Sequence, residues 1–599
     1  MIGRAARLGR RDRRPLAPTG AMAARSAPIR LDGQTKAMLE FARNRLVVSA
    51  ALFCLAFLVL GGRVMELALF PDGLETRIAW RDRAPPPAGA EVGQNRVPPS
   101  HFGRADITDR NGVVLATSLA AASLYADTRK VPDPVRAASD LATLLPGVRE
   151  AVLERRLTSG RRFIWLRRKL TPNQQYRVNR LGIPGLEFRQ EERRVYPQGR
   201  LAGHVVGLTD ADGRGIAGIE KFFDRSLARG VARPVALSLD VRVQHALREE
   251  LLAGLARTRA SGAAGLVLDV LNGEVMALVS LPDFDPNDVA ASPERNRFNR
   301  VTLGAYEMGS TFKTFTAAMA LDARVVSMTS GYDATKPIRI SRFVIRDYHA
   351  KRRWLSVPEI FMYSSNIGAA KMALDVGPEA QRRFLGRLGL LTRAEIEVPE
   401  SAPPLLPARW HQTETMTIGF GHGLAVTPLQ LASGVAALVN GGLRVAPTLI
   451  RREAGRPVVT QRVIRRHTSA QIRRLLRLVV ERTSGRQANA PGYLVGGKTG
   501  TAEKSVRGGY DRNALLSSFV AAFPITAPRF VVLVLLDEPK PGADGLRPTA
   551  GRTAAPVVGR LVPRIAPLLG VAPVDEDDAE IVEALTVKIV ARERKVASF

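Results

Sequence analysis

Cysteine and histidine are both scarce in this chain, and their scarcity excludes several kinds of site. The one cysteine, Cys54, rules out an internal disulfide and any paired-cysteine metal or redox motif. It lies in an apolar run, so we expect it to act as a small hydrophobic residue. The seven histidines are dispersed, and neither an H-E-x-x-H nor a G-x-S-x-G pattern occurs. We therefore expect no metal site, no cofactor and no histidine-based catalysis.

Acidic residues are also few relative to basic ones. The 88 Lys and Arg against 56 Asp and Glu give a formal net charge of +32. The excess arginine is spread along the whole chain, as is typical of a solvated surface, and no basic run is interleaved with aromatic residues. We therefore expect no nucleic-acid partner, and a position near an anionic bilayer explains the charge more simply.

Long uncharged runs are rare too, and the run over residues 46–62 stands out for that reason. Residues 1–45 before it carry eleven Lys and Arg against three acids, which favours a cytoplasmic N-terminus. A cleaved signal peptide is the alternative, but no clear small-x-small cleavage site follows the run. We predict a basic cytoplasmic tail at 1–45, a single transmembrane anchor at 46–66, and the remaining domains on the outer face of an inner membrane.

Composition divides the rest of the chain into four further segments. Residues 67–102 read as a linker, since five prolines fall between positions 84 and 100. Residues 103–236 read as an α+β pedestal domain with an Asn111-Gly112 hairpin turn and two helices, Val135–Leu145 and Val148–Leu157. Residues 237–570 form the larger domain. The tail 571–599 combines an acidic patch with a basic end and has no assigned role.

The larger domain begins and ends with apolar strand patterns. Its early residues predict a helix and a β-hairpin, its middle residues predict a further pair of helices, and its late residues predict a pair of neighbouring strands. These elements are, in chain order, Val241–Leu255, Ala264–Asp269, Glu274–Ser280, Thr311–Leu321, Ser356–Leu374, Leu515–Phe523 and Arg529–Leu536. The order predicts one antiparallel sheet closed by both ends of the domain, with helices between.

Three polar clusters lie in this domain: Ser310-Thr-Phe-Lys313, Ser364-Ser-Asn366 and Lys498-Thr-Gly-Thr501. A spacing of three puts the first Ser and Lys on one face of a helix, where a buried lysine of depressed pKa can take the serine proton. The second cluster has two interpretations: a helix N-cap, or a proton relay beside a substrate-binding amide.

Residues 492–499 (GYLVGGKT) also fit the phosphate-binding pattern G-x-x-x-x-G-K-[ST], so an ATPase is a rival interpretation. Such a loop must follow a buried strand and open a helix. Here the preceding segment is polar and ends in Pro491, and glycines rather than helical periodicity follow. Both features disfavour the nucleotide interpretation.

The order S-x-x-K, S-x-N, K-T-G resembles that of penicillin-binding proteins and serine β-lactamases. Further segments, among them RADITDRNGVVLATS (104–118), GIEKFFDRSL (218–227) and GFGHGLAVTPLQ (419–430), resemble class B penicillin-binding proteins. Residues 495–539 most resemble the division-specific, FtsI-type branch. The resemblance implies an α+β transpeptidase domain with an antiparallel sheet flanked by helices. One departure is Met308, where the family usually has proline.

The resemblance implies a role for each residue of the three clusters. Ser310 would be the acylated nucleophile, Lys313 its base and Ser364 the proton donor to the departing D-alanine. Asn366 would hold the stem peptide, and Lys498 would set the charge of the cleft. The terminal carboxylate of the substrate would lie on the strand that carries Thr499, Gly500 and Thr501. The oxyanion would meet the backbone N–H groups of Ser310 and Thr501.

The implied reaction cross-links peptidoglycan stem peptides between a D-Ala-D-Ala donor and an amine acceptor, and β-lactams would trap its first half. Implied partners are membrane proteins of the division machinery, including one that polymerises glycan strands. A β-lactamase is disfavoured because no E-x-x-L-N box supplies a water-activating base. A bifunctional class A protein is disfavoured because the region before residue 235 is too short for a glycosyltransferase domain. Two alternatives stay open: an elongation-type class B transpeptidase, and a non-catalytic scaffold or β-lactam sensor.

Overall fold

The computed structural model describes residues 103–229, 233–340, 343–506 and 509–589, together with 54, 57 and 58. The predicted tail 1–45, the linker 67–102 and nearly all of the predicted anchor 46–66 lie outside these residues. Among the described residues, no helix has both the length and the apolar character that crossing a membrane requires. The chain divides at Val97, and the fold described below belongs to the unit Pro98–Phe599.

The N-terminal region of this unit is an α+β layer, as the sequence predicts. Its elements are β1 (Ile107–Thr108), β2 (Val114–Ala126), α1 (Pro134–Leu144), α2 (Glu150–Leu157), β3 (Ile164–Leu170), α3 (Pro172–Asn179), β4 (Leu186–Val195), α4 (Gly203–Val206), β5 (Leu208–Thr209), β6 (Gly215–Ala217), α5 (Gly218–Phe222), α6 (Asp224–Ala228) and β7 (Val235–Ala236). A five-stranded sheet has the order β3-β2-β1-β7, and β4 also pairs with the long strand β2. Strands β5 and β6 form a separate pair, and short helices cover the sheet.

A buried ion network ties the ends of this N-terminal region together. Glu220, whose side chain is fully buried, accepts hydrogen bonds from the guanidinium groups of Arg104 and Arg194. Arg104 also pairs with Asp224 at 2.7 Å. Because each charge has a partner, the network can remain dehydrated without an isolated buried ion.

The C-terminal region contains the larger sheet and most of the helices. Its elements are α7 (Val241–Thr258), β8 (Gly262–Asp269), β9 (Val275–Leu281), α8 (Lys313–Asp322), β10 (Gly331–Asp333), β11 (Ile338–Ile340), β12 (Phe343–Ile345), β13 (Trp354–Ser356), α9 (Val357–Met362), α10 (Asn366–Val376), α11 (Pro378–Arg387), α12 (Gln412–Gly419), α13 (Pro428–Val439), β14 (Leu443–Val445), β15 (Thr460–Arg462), α14 (Arg466–Arg482), β16 (Gly496–Val506), β17 (Gly509–Phe523), β18 (Phe530–Asp537), α15 (Ala554–Ile565) and α16 (Ala579–Leu585).

The larger sheet has the order β16-β17-β18-β8-β9, and all neighbouring strands are antiparallel. This confirms the prediction that early and late strands of the domain share one sheet. It also places β16, which carries the lysine of the third cluster, at a sheet edge.

Both faces of this sheet are covered, which is why its central strand β18 is apolar at nearly every position. Val531, Leu533 and Leu535 face one hydrophobic cluster, and the alternate residues of the strand face a second cluster. Helices α7 and α15 pack on the second side, whereas α8, α13 and α14 pack on the first. The sheet is therefore a buried platform. The turn Gly309–Phe312 contacts its strands β16 and β17, and the helix α8 that follows lies in the hydrophobic cluster on the first side.

Candidate active site

The first polar cluster begins in a tight turn rather than in a regular helix. Residues Gly309–Phe312 form a 3-10 turn that runs into α8, so the helix begins at Lys313, two residues later than predicted. Gly309 has φ +53°, and a Cβ there would lie 2.9 Å from the carbonyl oxygen of Thr501. Glycine thus allows the turn to approach β16 closely and brings Ser310 beside that strand.

Lys313 is the centre of the site. Its Nζ is buried and lies 2.9 Å from Ser310 Oγ, 3.1 Å from Ser364 Oγ, 2.7 Å from the Ser364 carbonyl oxygen and 2.7 Å from Asn366 Oδ1. Burial, aided by the nearby charge of Lys498, holds the pKa of Lys313 well below its usual value, against a smaller opposing effect of Asp347. A neutral amine at 2.9 Å can accept the Ser310 proton, which an ammonium cannot.

The second cluster interrupts a helix. The sequence predicts one helix over Ser356–Leu374, and this prediction is wrong: α9 ends at Met362 and α10 begins at Asn366. Ser364 between them has φ +57°, a left-handed conformation that is costly for a residue with a side chain. The break turns its hydroxyl and its carbonyl oxygen toward Lys313.

The second cluster contains the helix N-cap that one interpretation predicts, and its other two residues contact Lys313. Ser365 is the N-cap of α10, because its Oγ accepts the Gly368 N–H at 3.0 Å and donates to Asp347 at 2.7 Å. Asn366, the first residue of the helix, points its amide oxygen at Lys313 and donates to the Arg346 carbonyl oxygen at 2.9 Å. The cap at Ser365 therefore fixes the positions of its two neighbours, Ser364 and Asn366.

Lys498 approaches the site from β16. Its side chain is 1% exposed, and its Nζ lies 3.1 Å from Ser364 Oγ and 5.8 Å from the ring centroid of Phe361. Burial lowers the pKa of Lys498 to about 7. Ser364 Oγ thus lies between two amines, each 3.1 Å away. The hydrogen-bonded series runs from Ser310 through Lys313 and Ser364 to Lys498.

The remainder of the third cluster forms a narrow strand edge. Thr499 and Thr501 alternate with Gly500, so both side chains lie on one face of β16 and both are partly exposed. A Cβ at Gly500 would lie 2.6 Å from the carbonyl oxygen of Met308. Glycine is therefore needed where the strand passes the turn that carries Ser310. Thr501 Oγ1 accepts the Ala550 N–H at 3.0 Å and keeps its own proton to donate.

The geometry of β16 is incompatible with a phosphate-binding loop. Lys498 lies in the interior of a strand, opposite Val520 in the ladder with β17. The strand continues from Lys498 to Val506, so the residues directly after the lysine form a strand and not the helix that a phosphate-binding loop requires. Within the described stretches of the chain, no group of three or more His, Cys, Asp or Glu side chains is arranged to hold a metal ion.

Two acidic residues near the site escaped sequence reasoning. Asp347 binds the Ser365 hydroxyl and the Ile367 N–H, although it lies eighteen positions before the cap in a short loop. Glu307 accepts the Gly423 N–H at 2.8 Å and the Tyr510 hydroxyl at 3.2 Å, and burial raises its pKa. Neither has a motif around it, so only the fold reveals them.

His422 and Met308 stand out in the sequence without a role. His422 is partly buried with its ring 5.5 Å from that of Tyr510, and desolvation, with the charge of Lys313, lowers its pKa to about 4. Met308 has φ −82°, close to the angle that a proline imposes, and its side chain is 1% exposed. Methionine thus keeps the backbone that the family's proline would have and fills the core.

Comparison with known proteins gives two family matches. Residues 263–562 match the penicillin-binding protein transpeptidase domain, and residues 99–231 match the penicillin-binding protein dimerisation domain. The fold is also similar to crystal structures of penicillin-binding protein 3 from Mycobacterium tuberculosis, one of them complexed with aztreonam. The TM-score is 0.62 at 24% identity, covering 79% of this chain and 97% of the other.

Curated relatives agree with these matches. A probable peptidoglycan D,D-transpeptidase FtsI of Caulobacter vibrioides is 41% identical over 482 residues, which cover 78% of this chain and 82% of the relative. The peptidoglycan D,D-transpeptidase FtsI of Escherichia coli K12 is 29% identical over 83% of this chain and 89% of its own length. With both domains matched and the three clusters assembled at one place, the chain belongs to the penicillin-binding proteins, in their class B, FtsI-type branch.

Proposed function

We propose that this protein is a peptidoglycan D,D-transpeptidase that cross-links stem peptides through an ester on Ser310. The observation that carries the proposal is the hydrogen-bonded series of Ser310, Lys313, Ser364 and Lys498, which couples a hydroxyl to a buried amine of low pKa. The relatives named peptidoglycan D,D-transpeptidase FtsI support the same activity.

In the first half-reaction the neutral amine of Lys313 takes the proton of Ser310, and Ser310 Oγ bonds to the carbonyl carbon of the penultimate D-alanine. The bond to the terminal D-alanine nitrogen then breaks. Ser364 gives its proton to that nitrogen and receives the one held by Lys313, 3.1 Å away. Lys313 is neutral again at the end, and the ammonium of Lys498 keeps the hydroxyl of Ser364 oriented.

The strand β16 and the second cluster hold the substrate. Thr499 and Thr501 donate their hydroxyl protons to the terminal carboxylate, along the edge that Gly500 keeps narrow. The N–H groups of Ser310 and Thr501 stabilise the oxyanion of the tetrahedral intermediate. Asn366 uses its second amide N–H for the backbone of the stem peptide, since the first is bound to a carbonyl oxygen.

In the second half-reaction an amine of a neighbouring stem peptide attacks the ester carbonyl. The bond to Ser310 Oγ breaks, Ser310 regains a proton and the cross-link is complete. A β-lactam enters the same first half-reaction but keeps its leaving group tethered, so it remains as a stable ester on Ser310.

We assign the activity to septal cell wall, because the relatives named FtsI favour the division branch over the elongation branch. The transmembrane anchor that the sequence predicts at 46–66 would leave the N-terminus in the cytoplasm and the catalytic domain in the periplasm. Partners are membrane proteins of the division machinery, including one that polymerises glycan strands. Depletion in cells tests the branch: long filaments support septation, and rounded cells support the elongation alternative.

The catalytic proposal is tested by labelling the full chain with a fluorescent penicillin. Wild type is expected to form a covalent adduct on the peptide that contains Ser310, and Ser310→Ala is expected to form none. Ser238→Ala is the matched control, since it removes a buried hydroxyl that bonds only to carbonyl oxygens outside the three clusters. Equal labelling of wild type and Ser310→Ala would remove Ser310 from the mechanism, and absence of labelling in wild type would favour a non-catalytic scaffold.

A further inference from the structure

The segment after α15 folds back onto the loop that leads into β16. We name residues 571–585 the C-terminal clasp. Its Val574 N–H donates to the Gly492 carbonyl oxygen at 2.8 Å, and its Glu576 Oε1 accepts the Gly492 N–H at 2.7 Å. Both backbone polar groups of one loop residue are therefore held by the clasp.

The same glutamate also holds a buried arginine. Glu576 Oε2 lies 2.9 Å from Nη2 of Arg477, a residue of α14 that is 6% exposed. Arg477 Nη1 donates to Asn489 Oδ1 at 2.8 Å and to the Val495 carbonyl oxygen at 3.1 Å. Arg477 Nε pairs with Glu481 of the same helix at 2.8 Å, so Glu576 holds the other end of a guanidinium that binds the residue directly before β16.

The clasp is anchored at its far end as well. Its helix α16 buries Leu585, and Ile581 packs against the main hydrophobic cluster. Arg474, one turn before Arg477 on α14, donates from Nε to the Ala584 carbonyl oxygen at 2.7 Å. Hydrophobic packing and hydrogen bonds therefore seat the clasp on α14 at two places.

The start of β16 is closely packed against the helix that the clasp holds. A Cβ at Gly496 would lie 2.6 Å from the Ile525 side chain and 3.2 Å from the backbone nitrogen of Arg477. The start of the strand therefore fits closely between α14 and the loop that joins β17 to β18. Lys498 follows Val495 by three positions, a span of about 10 Å in a strand. Strand residues paired in a ladder shift together, so a displacement at Val495 is carried to Lys498.

We infer that the C-terminal clasp sets the position of Lys498 in the active site, with Glu576 as the positioning residue that acts through Arg477 and Gly492. This inference rests on the proposed transpeptidase function. Glu576 itself touches no reacting group. Its effect is to keep the Lys498 amine at bonding distance from Ser364 and close enough to depress the pKa of Lys313.

The test uses the full chain with Glu576→Gln. This variant keeps a neutral acceptor for the Gly492 N–H but removes one of the two carboxylate charges that Arg477 faces, and it leaves Glu481 on Nε in place. The matched control is Glu250→Gln, which makes the same charge change at another carboxylate held in ion pairs, since Glu250 binds Arg560 and Arg564, each at 2.8 Å. Deletion of residues 571–599 and deletion of residues 590–599 form a second pair. For each protein the rate constant of acylation by a fluorescent penicillin is measured against pH, together with the midpoint of thermal unfolding.

We expect Glu576→Gln to slow acylation by about tenfold, since small displacements of catalytic groups reduce rates strongly. The acid limb of its pH profile should also move to higher pH. Lys313 is faced by Lys498, Asp347 and His422, and a displaced Lys498 repels the Lys313 ammonium less, so Lys313 loses its proton at higher pH. Glu250→Gln should lower the thermal midpoint and leave the acid limb unchanged.

Deletion of residues 571–599 should reproduce the effect of Glu576→Gln, and deletion of residues 590–599 should not. If the longer deletion fails to fold, Glu576→Gln decides the question alone. An unchanged rate and pH profile in Glu576→Gln, with wild type still labelled on Ser310, would overturn the positioning role of the clasp. The proposed function would be unaffected by that result. A wild type that is not labelled at all would overturn both.

Discussion

Replacement of Lys498 by methionine is expected to stabilise the fold while it damages the active site. The lysine is 1% exposed, and within the described residues no carboxylate lies at ion-pair distance from its amine. Methionine has a similar volume and an apolar side chain, and it removes the buried charge. Lys498→Met should therefore raise the free energy of unfolding at neutral and acidic pH.

The expected gain follows from the pKa of the lysine. Burial lowers it from 10.5 to about 7 in the folded state, and each unit corresponds to about 1.4 kcal/mol, so protonation of the buried amine costs roughly 5 kcal/mol. Loss of the hydrogen bond to Ser364 offsets about 1 to 2 kcal/mol of this. Lys498→Met should thus be more stable than wild type by about 3 kcal/mol at pH 6.

The gain should depend on pH with a definite sign. Because the pKa is lower in the folded state than in the unfolded state, the unfolded wild type binds more protons between pH 7 and pH 10.5. Wild-type stability therefore rises with pH across that window. The advantage of Lys498→Met should shrink across the same window and disappear near its upper end, where the lost hydrogen bond is left as a small net cost.

Urea denaturation of the full chain at several pH values between 6 and about 10 measures this difference. Lys540→Met serves as the control, because Lys540 is an exposed lysine, 48% accessible, and its loss also removes one cation. Penicillin labelling of the same samples should show slow or no acylation of Lys498→Met. The destabilising effect of the buried Lys498 ammonium would be contradicted if Lys498→Met were no more stable than wild type at pH 6, or if its gain in stability were independent of pH.

Three further substitutions have defined outcomes. Gly421→Ala should abolish penicillin labelling and lower the thermal midpoint, because Gly421 has φ +92° and a Cβ there would lie 1.9 Å from the Gly309 carbonyl oxygen; labelling at the wild-type rate would contradict this. Ser365→Ala should lower the free energy of unfolding by about 1 kcal/mol through loss of the helix cap, which urea denaturation measures. Glu220→Gln should lower it by about 3 kcal/mol or more, because buried Arg194 loses the carboxylate that it pairs with and buried Arg104 is left with Asp224 alone. Acylation of the molecules that remain folded should be unaffected by Glu220→Gln, and a slower rate in them would contradict the purely structural role.

The large sheet was predictable because its strands combine apolar runs with clear turns. The hairpin predicted at Ala264–Asp269 and Glu274–Ser280 is observed at Gly262–Asp269 and Val275–Leu281. Of the late strands, Arg529–Leu536 is observed at Phe530–Asp537, whereas Leu515–Phe523 is observed at Gly509–Phe523 and so begins six residues earlier than predicted. Strand pairing across almost the whole domain followed from the order of the runs alone. Buried strands leave this record because both of their faces must be apolar.

The convergence of the three clusters was predictable from the sequence, but the backbone that brings them together was not. The segment from Val357 to Val376 has good helix formers on both sides of Ser364, so its local preferences indicate a single helix. The break exists because Ser364 adopts a left-handed conformation that Asp347 and the Ser365 cap stabilise. Such strain is supported by partners distant in sequence, and local preferences do not report it.

The large sheet combines strands from both ends of the domain, and this has a consequence for biosynthesis. Strands β8 and β9 emerge from the ribosome early, but β16, β17 and β18 are made only after some two hundred further residues, and helix α15 follows them. The serine turn therefore has no opposing wall while the polypeptide is still being translated. We expect fragments released before residue 496 to contain Ser310 but no completed pocket, and therefore not to react with penicillin.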